Sequence, residues 1–399
     1  MTAIVQKYGG TSVMDTERIR AVAARVARTR RAGHDVVVIV SAMGHTTDQF
    51  LRLCREVSPN EHPREMDMLL TAGERISMAL LAMAIRDLGL EAVSLTGSQA
   101  GILTDTVHGR AEIQDVRAFR VKEHLDRGDV VIVAGFQGVS ASNKEITTLG
   151  RGGSDVTAVA MAAYLQAEAC EIYKDVDGVF TADPRVVPGA RKLEEVSYEE
   201  MAELAAAGAQ VLALRSVQYG RRLGVPLHVR SSFHEGAGTW VRDTIVHPRP
   251  VTGVAHSPGQ VLVTVAGAAD PAGAGRELEA ALIAAGLEAD PLGPLEPEEG
   301  RVVGLSVPAE QAAAVCRAAA GLGLIATVGG EPLGKVSLIG DGLRSDPGLA
   351  ARVSRVLAEA GIEVVAARVL PIRVSCLVPA GRLEEAVRRL HGAFVEVAP

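Results

Sequence analysis

Aromatic residues are scarce in this sequence: one Trp, five Tyr and six Phe make up 3% of 399 residues, against 48% hydrophobic residues overall. Its cores must therefore be built from Ala, Val, Leu and Ile rather than from large rings, which is ordinary globular composition. Cysteine is scarce as well. Cys54, Cys170, Cys316 and Cys376 are scattered without a CxxC pair or metal-ligand spacing, which argues against a disulfide framework and against a zinc site. There is no surplus of positive charge: 41 Lys and Arg stand against 48 Asp and Glu, a formal charge of -7. Nucleic acids and anionic membranes reward clustered cations, so neither is an expected partner. The arginines from Arg18 to Arg31 read as the solvated face of a helix. No run of about 18 apolar residues occurs, and Met1 leads straight into Ile4-Val5 and a Gly-Gly pair without a basic segment and apolar stretch. The expectation is a soluble, cytoplasmic protein.

What the chain does have is length and pattern. One hydrophobic core rarely serves so many residues, so two or three domains are expected. Through about residue 245, short β-branched runs alternate with stretches of helical period, the grammar of an α/β fold. Residues 35–40 and 129–133 are continuous apolar runs, as expected of strands covered on both faces in a largely parallel sheet. After Gly73, the spacing of Ile76, Leu80, Met83 and Leu88 predicts an amphipathic helix with Glu74 and Arg75 in its first turn. Prolines between His247 and Pro250 suggest a linker. Beyond it the sequence repeats itself. Val263 to Gly267, a Pro/Gly loop and a helix ending Ala285-Gly286-Leu287-Glu288 resemble Val336 to Gly340, another such loop and a helix ending Ala360-Gly361-Ile362-Glu363. A small α+β unit used twice accounts for this, and such units bind an effector or pair with a twin.

Three segments carry polar chemistry. Lys7-Tyr8-Gly9-Gly10-Thr11-Ser12 follows the strand Ile4-Val5, so a lysine enters a turn whose amides have no Cβ in the way of a phosphate. Neither a Walker lysine nor a Rossmann fingerprint is present, and Gly-Gly also serves as a plain turn. Thr147 to Asp155 gathers hydroxyls, glycines, the Arg151 guanidinium and the Asp155 carboxylate within nine positions. Arg151 suits a carboxylate; Asp155 suits a cation or a substrate amine, or simply an N-cap. Tyr173 to Arg185 places carboxylates and turn residues just after the strand 170–172, which turn chemistry alone could also explain. His45, His228 and His256 belong to no motif and read as surface or packing residues.

Together with Ser41-Ala42-Met43-Gly44 and Gly73-Glu74-Arg75-Ile76-Ser77, these segments resemble the aspartate kinases of the amino-acid kinase family, in the family's order and over residues 1–245. The resemblance implies an amino-acid kinase fold with a largely parallel sheet sandwiched by helices over 1–245. Two ACT-like, ferredoxin-like units would follow at 251–330 and 331–399. It implies phosphorylation of the L-aspartate side chain by ATP with Mg²⁺, and a homo-oligomer formed through the ACT-like units. Lys7, Gly9, Gly10 and Ser41 would hold the ATP phosphates. Lys174, Asp175, Phe180, Asp183, Arg185 and Gln210 would complete the nucleotide site. Thr47, Glu74, Phe136, Arg151 and Ser154 would bind aspartate, with Gln137 beside Phe136. Arg151 would take the α-carboxylate and Glu74 the α-ammonium, while Lys7, Arg151 and Asp155 carry catalysis.

Two departures stand out. Gln210 occupies a position where the family usually has a nucleotide-reaching lysine, which implies weaker ATP binding, or a neighbouring cation that compensates. The same glutamine would suit a non-catalytic subunit that kept the fold. In the repeats, Asp270-Pro271-Ala272-Gly273 replaces Asp-Lys-Pro-Gly, Leu292-Gly293-Pro294-Leu295 lies where Gln-Asn-Val-Ser is expected, and Arg368-Val369-Leu370-Pro371 replaces Ser-Thr-Ser-Glu. Groups that would grip an amino-acid effector are missing. Inhibition by lysine plus threonine is therefore expected to be weak or absent.

Overall fold

The computed structural model describes residues 2–60, 62–243, 250–267, 271–295, 302–346 and 348–396. The chain separates into two compact units: residues 1–179, 192–202 and 210–245 form the first, and residues 180–191, 203–209 and 246–399 form the second.

In the first unit, eight strands lie in the order Glu195–Ser197, Thr239–Arg242, Leu227–Ser231, Ala169–Lys174, Ala3–Tyr8, Asp35–Val40, Val130–Ala134, Ala92–Leu95. Six of the seven pairings are parallel; the antiparallel exception joins Leu227–Ser231 to Thr239–Arg242. The continuous apolar runs are strands, as their composition requires. Val36 to Val40 and Val130 to Ala134 are all buried, each Val or Ile contributing roughly 1.5–3 kcal/mol by leaving water. The helix Gly153–Leu165 is buried from Gly153 through Ala162, so its sequence is small or apolar on every side. A second, four-stranded sheet orders Ile113–Val116, Ile102–Thr104, Gln137–Ser140 and Ile146–Thr148.

The helix expected after Gly73 runs from Ala72 to Arg86, but its phase differs from the one the apolar spacing predicts. Glu74, Ser77, Met78, Leu81, Ala82 and Ile85 face inward, while Ile76, Met83 and Leu88 are exposed. Two polar contacts explain the rotation. Ser77 Oγ donates to the Ser41 carbonyl at 2.7 Å, and Glu74 Oε1 accepts from the Ala42 amide at 2.9 Å. Gly73 permits this approach, because a Cβ there would sit 2.6 Å from the Ala42 Cβ. With the preceding helix Pro63–Leu70, this stretch is long and apolar enough to cross a membrane by composition; half of it is buried in the protein, Asp67 and Glu74 included.

The arginines of the helix Thr16–Arg31 are likewise not simply solvated. Arg18 and Arg25 donate to the Ser232 and Ser231 carbonyls at 3.0 Å each, and Arg18 lies over the Phe233 ring. Of the motif-less histidines, His45 is exposed, and His228 stacks on Trp240 with 3.9 Å between ring centroids.

In the second unit the repeat is visible as two strand-helix-strand-strand-helix arrangements sharing one seven-stranded sheet. The shared element is Gly253–Ala266. Its first part pairs with Leu333–Ile339, and after a register shift between Ser257 and Gln260 its second part pairs with Val302–Pro308 and Ile325–Val328. One core of this unit joins Ala182, Val186 and Val187 to Val336, Leu338, Val353, Leu357 and Leu390.

Candidate active site

The strands Ala3–Tyr8, Asp35–Val40, Val130–Ala134 and Ala169–Lys174 are parallel, so their C-terminal ends open on one edge of the sheet, the edge where α/β folds place ligands. A pocket of about 320 Å³ lies there, lined among others by Lys7, Ser41, Thr47, Glu74, Phe136, Arg151, Ser154, Asp155 and Lys174. The loops supply backbone to its wall at Gly10, Gly44, Gly150, Gly152 and Gly153. Gly152 has φ +73° and a Cβ there would meet the Ala213 Cβ at 2.3 Å, so no other residue fits where the buried helix begins.

Lys7 and Lys174 come from adjacent strands and share one carboxylate. Lys7 Nζ lies 2.6 Å from Asp155 Oδ1, and Lys174 Nζ 3.0 Å from Asp155 Oδ2. Burial pushes the Lys7 ammonium down to about 8, although Asp155 pulls the other way. Burial would raise the Asp155 carboxyl, but Lys174 and Lys7 outweigh it and hold that group at about 2. The arrangement is two cations sharing one fixed anion, a net positive site in a buried setting. It suits a ligand that brings further negative charge.

Glu74 is 3% exposed, and while its Oε1 accepts from the Ala42 amide, its Oε2 has no hydrogen-bond partner among the described residues. Burial pushes its carboxyl up to about 7, against the Ala42 amide and the nearby Lys7 charge. An orphaned buried carboxylate oxygen beside a pocket calls for a cationic donor from a ligand. Phe136 holds φ +70°, a conformation uncommon for a bulky residue. Its carbonyl accepts from the Leu149 amide at 2.8 Å and its amide donates to Thr157 Oγ1 at 3.2 Å, so the neighbouring chain holds it in that conformation.

The other residues named from the sequence lie elsewhere. Gly9 is next to the wall rather than in it: a Cβ there would lie 3.6 Å from Lys7 Nζ. Asp175 and Gln210 are exposed in the first unit. Phe180, Asp183 and Arg185 belong to the second unit, where Arg185 Nη2 pairs with Asp183 Oδ2 at 2.7 Å. Gln137 does not line the pocket; its amide donates to the Thr71 carbonyl at 3.2 Å. Sequence reasoning passed over Asp67, which forms no motif and whose environment only the fold supplies.

The amino acid kinase family pattern matches residues 2–231, and an ACT domain pattern matches residues 336–394. The aspartokinase of Mycolicibacterium smegmatis is 50% identical over 99% of this chain and 96% of its own length. That of Corynebacterium glutamicum is 47% identical with the same coverage. The chain belongs to the amino acid kinase family, among the aspartokinases. Within that family the fold extends to solved structures. E. coli aspartokinase III in complex with aspartate and ADP superposes with a TM-score of 0.81 at 25% identity, covering 98% of this chain and 99% of that one. The same enzyme with lysine and aspartate gives a TM-score of 0.75 at 25% identity. The largely parallel central sheet and the C-terminal ACT fold are thus those of aspartokinases.

Proposed function

We infer that this chain is an aspartate kinase, which transfers the γ-phosphoryl group of ATP to the β-carboxylate of L-aspartate to give 4-phospho-L-aspartate. The observation that carries this reading is a single pocket holding Lys7, Lys174 and Asp155 together with Arg151 and a buried Glu74 oxygen that lacks a partner. An amino acid needs one cationic and one anionic partner to be held in one pose. Arg151 takes the α-carboxylate through its planar fork and Glu74 takes the α-ammonium. Thr47, Phe136 and Ser154 wall the same space, leaving the β-carboxylate for the nucleotide.

One β-carboxylate oxygen bonds to the γ-phosphorus as the bond to the β–γ bridging oxygen breaks, and ADP leaves with that electron pair. The nucleophile is ionised at neutral pH, so no proton is removed and no general base is needed. Catalysis reduces to alignment and charge neutralisation. Lys7 supplies the charge closest to the Gly9-Gly10 turn, and Lys174 the second; a triphosphate beside them favours their protonated forms. Asp155 touches both ammonium groups and fixes where they point. Ser41 adds its polar groups at the neighbouring strand end, and Asp175 and Gln210 extend the nucleotide side by resemblance.

Mg²⁺ belongs to this chemistry as the companion of ATP. Among the described residues no group of three or more His, Cys, Asp and Glu side chains gathers to hold a metal, and both Asp155 oxygens are engaged by lysines. The ion would then be brought in with the triphosphate, whose negative charge it would help to neutralise.

The second part of the proposal concerns control. Arg368 of the altered stretch and Arg373 of the retained stretch after it both pair with Asp290, at 3.4 and 3.0 Å, so both guanidinium groups already have a partner within the chain. Asp270, which heads the altered stretch of the first repeat, lies outside the described residues. We propose that lysine and threonine inhibit weakly or not at all, while the ACT-like units form a homo-oligomer and the enzyme works in the cytoplasm. A panel of acidic acceptors assayed with ATP tests the first part, and the aspartate reaction run with lysine plus threonine tests the second. Aspartate is expected to be the preferred acceptor; preference for another acceptor, or no transfer to any, would defeat the kinase reading. Lysine plus threonine at millimolar concentration should leave the rate largely unchanged, and strong concerted inhibition would end the second part.

The pH profile follows from the two shifted groups. Glu74 binds an ammonium only when ionised, so kcat/KM for aspartate should climb as pH rises through about 7. The kcat/KM for ATP, which reports the enzyme before the nucleotide binds, should fall above about 8, where Lys7 loses its proton. Glu74→Gln should remove the acidic limb, and wild-type profiles flat from about pH 6 to about pH 9 would contradict both assignments. The same group affects stability with the opposite sign. Its folded value lies near 7 against 4.5 for the ordinary carboxyl, so the folded state binds more protons and loses stability as pH rises between those values.

A further inference from the structure

Asp67 belongs to no motif, lines no wall of the pocket and has no part in the mechanism above, yet it is 0% exposed. A carboxylate is placed so deeply only where several donors compensate it. Its Oδ1 accepts from Thr148 Oγ1 at 2.5 Å, and its two oxygens accept from the Gly109 amide at 3.1 and 3.2 Å. Its Oδ2 lies 2.7 Å from His108 Nδ1. These donors sit on two chain segments, the turn at 108–109 and the strand Ile146–Thr148.

Both segments lead to Arg151. Thr148 is three residues before it, and the Gly109 carbonyl is close enough that a Cβ on Gly150 would lie 2.9 Å away. The Ala111 amide donates to the Thr148 carbonyl at 2.8 Å. Arg215 donates to the Leu149 carbonyl at 2.7 Å and to the Ala111 carbonyl at 3.3 Å. Beyond these anchors the chain passes through Gly150 and Gly152, both at φ +73°, and Arg151 between them is exposed. A side chain carried on a two-glycine loop points where the base of that loop directs it. The base is clamped by a buried acid from one helix and by a guanidinium from another.

We propose that Asp67 is a positioning residue for the acceptor: by holding Thr148 and the Gly109 amide, it fixes the loop that aims Arg151 at the α-carboxylate. This rests on the reading of Arg151 as an acceptor-binding group. A displacement of about 1 Å at a binding group costs up to about a hundredfold in rate or affinity, so a loosened clamp has a measurable effect. The His108 contact ties the same carboxylate to the surface turn and does not reach the pocket wall.

The test uses the full-length enzyme, with KM for aspartate, KM for ATP and kcat measured for Asp67→Asn, Thr148→Val, Arg151→Ala and the double variant Asp67→Asn/Arg151→Ala. Asp67→Asn and Thr148→Val are each expected to raise KM for aspartate about tenfold while KM for ATP and kcat stay within about twofold. In the Arg151→Ala background, Asp67→Asn should add less than about twofold, because the group it positions is gone. Should Asp67→Asn fail to fold, Thr148→Val, which exchanges the donating hydroxyl for a methyl group of similar size, carries the test. An unchanged KM for aspartate in both single variants overturns the positioning role. So does a full tenfold increment on top of Arg151→Ala, which would mark Asp67 as generally structural. If Arg151→Ala alone leaves KM for aspartate unchanged, the acceptor reading itself has failed and this inference falls with it.

Discussion

Replacing Lys7 by alanine is expected to cut kcat by roughly a hundredfold or more, the scale for removing one preorganised charge partner of a transition state. That corresponds to about 2.7 kcal/mol, since each tenfold costs about 1.36 kcal/mol. The reason lies in the shared carboxylate. Lys7 and Lys174 divide Asp155 between them, so the pocket has a net positive charge only while both lysines are present. Without Lys7, Lys174 is bound to a matching anion and little charge remains for the phosphates. Because Asp155 keeps Lys174, the variant does not leave an unpaired buried carboxylate and is expected to fold. Turnover near that of the wild type at saturating ATP would refute the role of Lys7. Lys7→Arg is expected to recover only part of the loss, because a guanidinium is larger and planar in a space built for a compact ammonium.

The second large effect is on the acceptor. Arg151→Ala should raise KM for aspartate by about ten- to a hundredfold and leave KM for ATP nearly unchanged, since charge-assisted hydrogen bonds contribute about 1.5–3 kcal/mol each. Unlike Lys7, Arg151 is exposed on its glycine-flanked loop, so its loss removes a contact to a ligand without disturbing a core. Steady-state kinetics with each substrate varied in turn separates the outcomes. Equal changes in both KM values would count against the assignment.

Much of the site could be read in the sequence because the residues concerned are close together in the chain. Lys7 with Gly9-Gly10, and Arg151 with Ser154 and Asp155, fall in short segments at strand ends, where local backbone and side-chain chemistry coincide. The helix Ala72–Arg86 shows where such reading stops. Its apolar spacing points to Ile76 and Met83, yet those residues are exposed, because Glu74 and Ser77 must reach the chain at Ser41-Ala42 and thereby set the phase. Asp67 was illegible for a related reason: its three donors lie 41 to 81 positions away in the chain, and nothing local marks a residue whose partners are all distant.

The sequence by itself determined the alternation of strands and helices, the glycine turns, the repeated α+β unit and the identity of the charged groups, all of which depend on neighbours within a few positions. Tertiary structure alone decided which strand serves both repeats of the second unit, as Gly253–Ala266 does through a register shift. It alone grouped residues 180–191 with the second unit. It also brought two lysines onto one aspartate and left one glutamate oxygen without a partner. Strand pairing, core packing and the desolvation of charge all depend on contacts between residues far apart in the chain, and no local pattern encodes those contacts.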